Sequence, residues 1–321
     1  MEKTDRIFVA GHAGLVGSAI VRRLRDDGYA SFLTATRSEL DLTRADRVEA
    51  FFRRERPEYV FLAAGEGGGI GANLARPAEF IRDNLLIQAS VLQAAQVSAV
   101  RRLLLFGCSC VYPKDAAQPM REAALLTGPV ERSSEPFAVA KIAGIKMAEA
   151  YARQYGLAVG AVVPATVYGP NDDFDPATSH VLAALLRKFH DARRDGGPVV
   201  VWGTGAPRRE FIHADDLADA CLFLMRLPPP AFADLFASPA PLLNVGTGRD
   251  ISIRELAALV ARAVGFTGPV SFDASRPDGV PRKLLDSGRL RALGWAPSVG
   301  LEEGVRRTCQ WYNRADVCPG S

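Results

Sequence analysis

The chain has 321 residues, 48% of them apolar, enough for a substantial buried core in one large domain or two smaller lobes. Its 39 basic and 36 acidic residues leave a formal charge of +3, so no global excess of charge favours a nucleic-acid partner. No run approaches the roughly 18 apolar residues of a membrane helix, and the opening MEKTDRIFVAGHAG passes from charges into a strand and glycine turn without the apolar core of a signal peptide, so the sequence reads as soluble.

RIFVAG (6–11) is a short apolar run ending in glycine, and LVGSAIVRRLRDDG (15–28) has helical spacing closed by Gly28. The alternation continues through SFLTAT, a polar helix near 43–55, YVFLAA, a long helix near 77–98, RRLLLFG, a helix near 136–155 and LAVGAVVPA. Nearly uninterrupted apolar strands separated by helices predict an α/β fold, a Rossmann-type doubly wound parallel sheet covered on both faces. After about residue 165 the texture changes. PNDDFDPATS (170–179) is a polar loop, and a helix over 180–194 is expected to start with Ser179 as its N-cap. Then come a strand at PVVVWG, a helix near 214–227, a strand at LLNVG and a helix at SIRELAALVARAVG, with the proline-rich 227–241 read as a surface connection. The expected division is a dinucleotide lobe, 1–165 with parts of 207–245, and a smaller mixed α/β substrate lobe, 166–206 and 246–321. The five cysteines, at 108, 110, 221, 309 and 318, are odd in number and lack zinc-ligand spacing. A disulfide framework and a metal site are therefore not expected, and a reducing cytoplasm is.

GHAGLVG sets Gly11, Gly14 and Gly17 in G-x-x-G-x-x-G spacing between a strand and a helix. There the backbone can approach a pyrophosphate lying at the helix N-terminus. The second strand ends in TATRSELDL, which offers Arg37 where an acidic residue would bind a free ribose hydroxyl. A guanidinium suits a 2′-phosphate instead and points to NADP(H). Asp41 either hydrogen-bonds the adenine side or caps a helix.

Taken with GGIGAN (68–73), CSCVYPK (108–114), QPMREAALL, EPFAVAKIAGIKMAEAYARQYG, SHVLAALLRKFH, VVWGTGAPRREFIHADD, NVGTG and FDASRPDGVPRKLLD, the chain resembles the GDP-L-fucose synthase family of the extended short-chain dehydrogenase/reductase superfamily over nearly its whole length. The resemblance implies a GDP-linked 4-keto-6-deoxy sugar as substrate, 3,5-epimerisation, reduction at C4 by NADPH, and a homodimer. It maps the epimerase acid/base pair onto Cys110 and His180. A thiolate after a strand end is a competent base. An imidazole in the first turn of a helix is disfavoured as imidazolium, although capping or packing would also account for it.

The family's reductase triad is altered. Its serine position holds Cys108, and its Y-x-x-x-K reads Phe137-x-x-x-Lys141, with Lys141 left to position the cofactor. Phenylalanine has no proton for the developing C4 alkoxide, and loss of a general acid typically costs about 10² to 10⁴ in rate. Reduction is therefore expected to be impaired or lost. The competing explanations are an engineered Phe137, which leaves Cys108 unaccounted for, and a core aromatic beside a rebuilt site. Substrate contacts map onto Lys188, Trp202, Arg209, Asp278 and Lys283. The cations can neutralise a diphosphate and Trp202 can stack on the base or pack over the sugar, although each residue would also serve as an ion pair or core anchor. Ala13 stands where some relatives carry arginine, and Glu66 and Gly67 make the loop at 63–70 more acidic and flexible. A full bifunctional synthase, another GDP-sugar epimerase and a non-catalytic nucleotide-sugar-binding protein are the other readings.

Overall fold

A computed structural model of the chain describes residues 1–237, 241–276 and 278–314. Its first half runs β1 (Ile7–Ala10), α1 (Leu15–Asp26), β2 (Phe32–Leu33), α2 (Ala45–Glu55), β3 (Tyr59–Leu62), α3 (Ile70–Ala75), α4 (Pro77–Val97), β4 (Arg102–Phe106), α5 (Glu135–Tyr155) and β5 (Val159–Pro164). There follow β6 (Thr166–Tyr168), α6 (Val181–Asp195), β7 (Val199–Trp202), β8 (Arg208–His213), α7 (Ala214–Arg226), α8 (Pro229–Phe236) and β9 (Leu242–Val245). The remainder is β10 (Asp250–Ser252), α9 (Ile253–Val264), β11 (Val270–Asp273), β12 (Arg282–Lys283), α10 (Gly288–Ala292) and α11 (Leu301–Arg314).

Six strands form one parallel sheet in the order β2-β1-β3-β4-β5-β9. Every residue of β1, β3, β4, β5 and β9 is buried, as helices on both faces require. The order reverses between β1 and β3, and their carboxyl ends open the crevice in which such sheets bind ligands. A second sheet is built on β8, with β10 antiparallel to it and β12 and β6 parallel, while β7 pairs with β11. Helices α6, α9 and α11 close a separate core around Leu186, Phe189, Phe211, Val260 and Tyr312. The chain after residue 246 does not stay in that body, because Leu285, Leu290 and Trp295 pack into the core of the first sheet.

Two local expectations are corrected. The proline-rich stretch is not merely a surface connection: Pro229 starts α8, where a missing N–H does no harm, and Phe232 and Phe236 are buried. A Cβ on Gly160 of β5 would lie 2.5 Å from the Phe236 ring, so the sheet leaves room for that ring. Residues 238–240 lie outside the described residues, as do 315–321 with Cys318. The N-cap of α6 is His180, with no side-chain cap, rather than Ser179. The amides of Thr178 and Ser179 already bond to the Asp175 carbonyl, a turn that moves the helix start onward and leaves Ser179 Oγ buried without a partner among the described residues.

Candidate active site

The glycine loop follows β1 directly. Gly11 has φ +80°, and a Cβ there would come within 2.7 Å of the Ala64 nitrogen; one on Gly17 would lie 2.1 Å from the Gly11 carbonyl oxygen. The loop is therefore pressed between the end of β3 and the first turn of α1. Gly14 is the N-cap of α1 and offers no side chain to it, so the dipole and amides of that turn are available to a pyrophosphate. Arg37, beyond β2, has a side chain 70% exposed, with Nη1 2.6 Å from Glu66 Oε1 and Nη2 3.9 Å from Asp83 Oδ2. Asp41 accepts hydrogen bonds from the Thr43 amide (3.0 Å) and hydroxyl (2.7 Å), so it closes a turn; the N-cap of α2 is Arg44.

Lys141 lies on the buried face of α5. Its Nζ is 5.5 Å from the centroid of the Phe137 ring one turn earlier, and no hydrogen bond or ion pair meets it among the described residues. Desolvation lowers its pKa to about 8. A Cβ on Gly65 would sit 3.2 Å from Lys141 Nζ and 2.7 Å from Asn84 Oδ1, so both polar atoms border that glycine. Asn84 donates to the carbonyls of Glu66 and Phe80, and its own Oδ1 has no hydrogen-bond partner among the described residues. The Phe137 ring meets Phe80 edge-on at 6.1 Å.

The loop after β4 changes the expected thiol chemistry. Cys108 is extended and residues Ser109–Val111 form a tight 3₁₀ turn, which brings two cysteines two residues apart face to face, Cα to Cα 5.3 Å. They are joined as a disulfide. The chain thus contains a disulfide where none was expected, and Cys110 is a base only after reduction, since a disulfide sulfur has no proton to exchange. Cys110 lines a small cavity with Ser109, Tyr112, Glu131, Arg282 and Lys283. Tyr112 anchors the loop by donating to Asn244 Oδ1 at 2.6 Å.

His180, the N-cap of α6, lies within reach of the charge of Lys283, a residue that lines this cavity. Its side chain is exposed, yet the protein mass around it lowers its pKa by desolvation, opposed by the charge of Asp173 and reinforced by that of Lys283. Lys283 on β12 pairs in register with Arg209 on β8, so two cations lie side by side. Burial and the Arg209 charge bring Lys283 to about 8, with Glu131 opposing; burial likewise lowers Arg209. Lys188 donates to the Val200 carbonyl at 3.0 Å and lies 5.0 Å over Trp202, which is 61% exposed and also carries Arg276 at 5.1 Å. Asp278 has a structural task instead of an open carboxylate. Its Oδ1 accepts the Thr204 amide and its Oδ2 the Thr204 hydroxyl, both at 2.7 Å, and so fixes the turn between Gly203 and Gly205.

The family model for the NAD dependent epimerase/dehydratase family matches residues 7–231. The chain is 51% identical over 318 residues to GDP-L-fucose synthase 1 of Arabidopsis thaliana, covering 99% of this chain and 95% of that protein. The chain belongs to this family. Among solved structures it resembles a GDP-6-OMe-4-keto-L-xylo-heptose reductase from Campylobacter jejuni, with TM-score 0.93, 37% identity and 98% and 99% of the two chains covered. A GDP-mannoheptose C4 reductase of the same organism, solved with NADP bound, gives TM-score 0.88 at 37% identity, with 98% and 99% covered.

Within the epimerase/dehydratase family this chain is an enzyme of the GDP-L-fucose synthase group. The glycine cradle after β1, the loop of Cys108 and Cys110 after β4, and Lys141 of α5, whose Nζ borders Gly65 after β3, lie at the carboxyl ends of the parallel strands. Glu131, Asn84 and Asp173 were not singled out from sequence. Asn84 follows Arg82 and Asp83 in α4, so its polarity did not stand out, and Glu131 and Asp173 lie in polar loops with no diagnostic spacing.

Proposed function

We propose that the chain binds NADP(H) and a GDP-linked 4-keto-6-deoxyhexose, epimerises the sugar at C3 and C5 through Cys110 and His180, and reduces C4 poorly or not at all. The observation that carries this reading is the split state of the site. Cys110 and Lys283 share one cavity, and the Lys283 charge acts on His180, while the position one turn before Lys141 holds a ring without a hydroxyl.

A ketone at C4 acidifies the neighbouring C–H bonds, and a reduced Cys110 can hold a proton at Sγ while neutral His180 holds or returns one at a ring nitrogen. Arg209, Lys283 and Lys188 offset the diphosphate charge, and Trp202 gives the base or sugar a flat apolar surface. The residues present fit NADP(H): the glycine cradle and α1 N-terminus suit a pyrophosphate, Arg37 a 2′-phosphate, and Lys141 Nζ and Asn84 Oδ1, both without a hydrogen-bond partner among the described residues, a ribose edge. The group supplies hydride when bound. Lys141 orients it, whereas Phe137 has no proton to give and Cys108 offers at most a weak S–H donor.

A full synthase is the second reading, favoured by the 51% identity to a protein of that name. A homodimer in a reducing cytoplasm, where small thiols hold Cys110 free, completes the proposal. The test incubates the reduced protein with GDP-4-keto-6-deoxymannose in D₂O, with and without NADPH, following deuterium by NMR and NADPH by absorbance. Deuterium at C3 and C5 with little NADPH loss is expected. Rapid NADPH consumption would establish the full synthase, and absence of both signals would exclude this substrate.

A further inference from the structure

Arg37, the residue assigned to the cofactor's 2′-phosphate, is already held by acids from two other elements. Glu66, on the loop after β3, meets its Nη1 at 2.6 Å, and Asp83 of α4 stands 3.9 Å from its Nη2. Neither acid is loosely placed. Asp83 is buried and accepts Arg82 Nε at 2.6 Å, and the backbone carbonyl of Glu66 is tied to Asn84 at 2.9 Å. Arg37, Arg82, Glu66 and Asp83 together carry no net charge, so this edge of the crevice is not a ready-made anion site. A phosphate that takes the Arg37 fork bidentately must displace the Glu66 carboxylate or lie against it. The same carboxylate is the type of acceptor that binds a free ribose 2′-hydroxyl.

We propose that Glu66 is a specificity-determining residue: it competes with the 2′-phosphate for Arg37 and so narrows the preference for NADP(H) over NAD(H), letting the enzyme accept both. This rests on the reading of Arg37 as the 2′-phosphate ligand. Glu66 touches Arg37 rather than the reacting atoms, so the effect belongs to cofactor binding and leaves the acid/base pair aside.

The test is calorimetric titration of the full chain with NADP⁺ and with NAD⁺, for wild type, Glu66→Gln and Arg37→Ala. Exposed ion pairs of this kind are worth only a few-fold in binding, so Glu66→Gln is expected to tighten NADP⁺ about fivefold without tightening NAD⁺. Arg37→Ala is expected to abolish whatever preference for NADP⁺ the wild type has. If Arg37→Ala removes that preference but Glu66→Gln leaves the NADP⁺ to NAD⁺ ratio unchanged, the competition is refuted while the 2′-phosphate reading stands. If Arg37→Ala leaves the ratio unchanged, Arg37 does not read the phosphate and both statements fall.

Discussion

A single oxygen atom separates Phe137 from a proton donor. The ring keeps its edge-on contact with Phe80 and its place one turn from Lys141, so the helix is undisturbed by the missing hydroxyl. Phe137→Tyr is accordingly expected to raise the rate of NADPH oxidation relative to deuterium incorporation by about 10² or more; an unchanged ratio would show that the hydroxyl is not what limits reduction. The Cys108–Cys110 bridge sets a second expectation. Deuterium exchange is expected to be silent in oxidised protein and to appear on adding dithiothreitol, with Cys110→Ser silent in both conditions. Lys283 sets a third. It carries its charge below a pKa of about 8 and loses it as pH rises through that value, so the affinity for GDP is expected to fall between about pH 7 and 9. Titration of Lys283→Gln should give a flatter profile. At this scale the family resemblance picked out Cys110, His180, Lys141 and Lys283 by residue type and motif, and their roles here are proposals. The motifs could not show that two sulfurs two residues apart face each other, or that Asp278 is engaged by Thr204, since both depend on how a loop turns.

The strands of the large sheet were legible as elements because burial on both faces leaves them few polar positions, as in IFVA, YVFL and RLLLF, where Arg102 is the one charged residue. Helix α8 was not, because three consecutive prolines read as a break when only the first turn of a helix tolerates one. Its function is visible in packing, where Phe236 fills the space above Gly160. Phe236→Ala should therefore destabilise the protein by about 3–5 kcal/mol through the cavity it leaves, measured by urea unfolding. A loss below about 1 kcal/mol would mean that α8 is an ornament on the sheet. The tie between Tyr112 and Asn244 links the loop of Cys110 to β9 in the same way, and Tyr112→Phe is expected to cost about 1–2 kcal/mol by leaving the Asn244 oxygen short of its donor.

Across the whole molecule, the cleft lies where the loop after β4, from the first sheet, meets β12, from the second, so neither core alone assembles it. The alternation of strands and helices foretold the first sheet. The second was harder to foresee, since its strands are short, mix parallel and antiparallel pairing, and draw β6, β8, β10 and β12 from distant parts of the chain. The same weaving gives the large sheet its last strand late: β9 pairs with β5 although 77 residues separate Pro164 from Leu242 in the sequence numbering. During synthesis, β5 leaves the ribosome with an unpaired edge, and at roughly 5–20 residues per second it waits several seconds for its neighbour. The nascent chain is most exposed to sticking in that interval, which makes the edge of β5 a natural place for a chaperone to hold it.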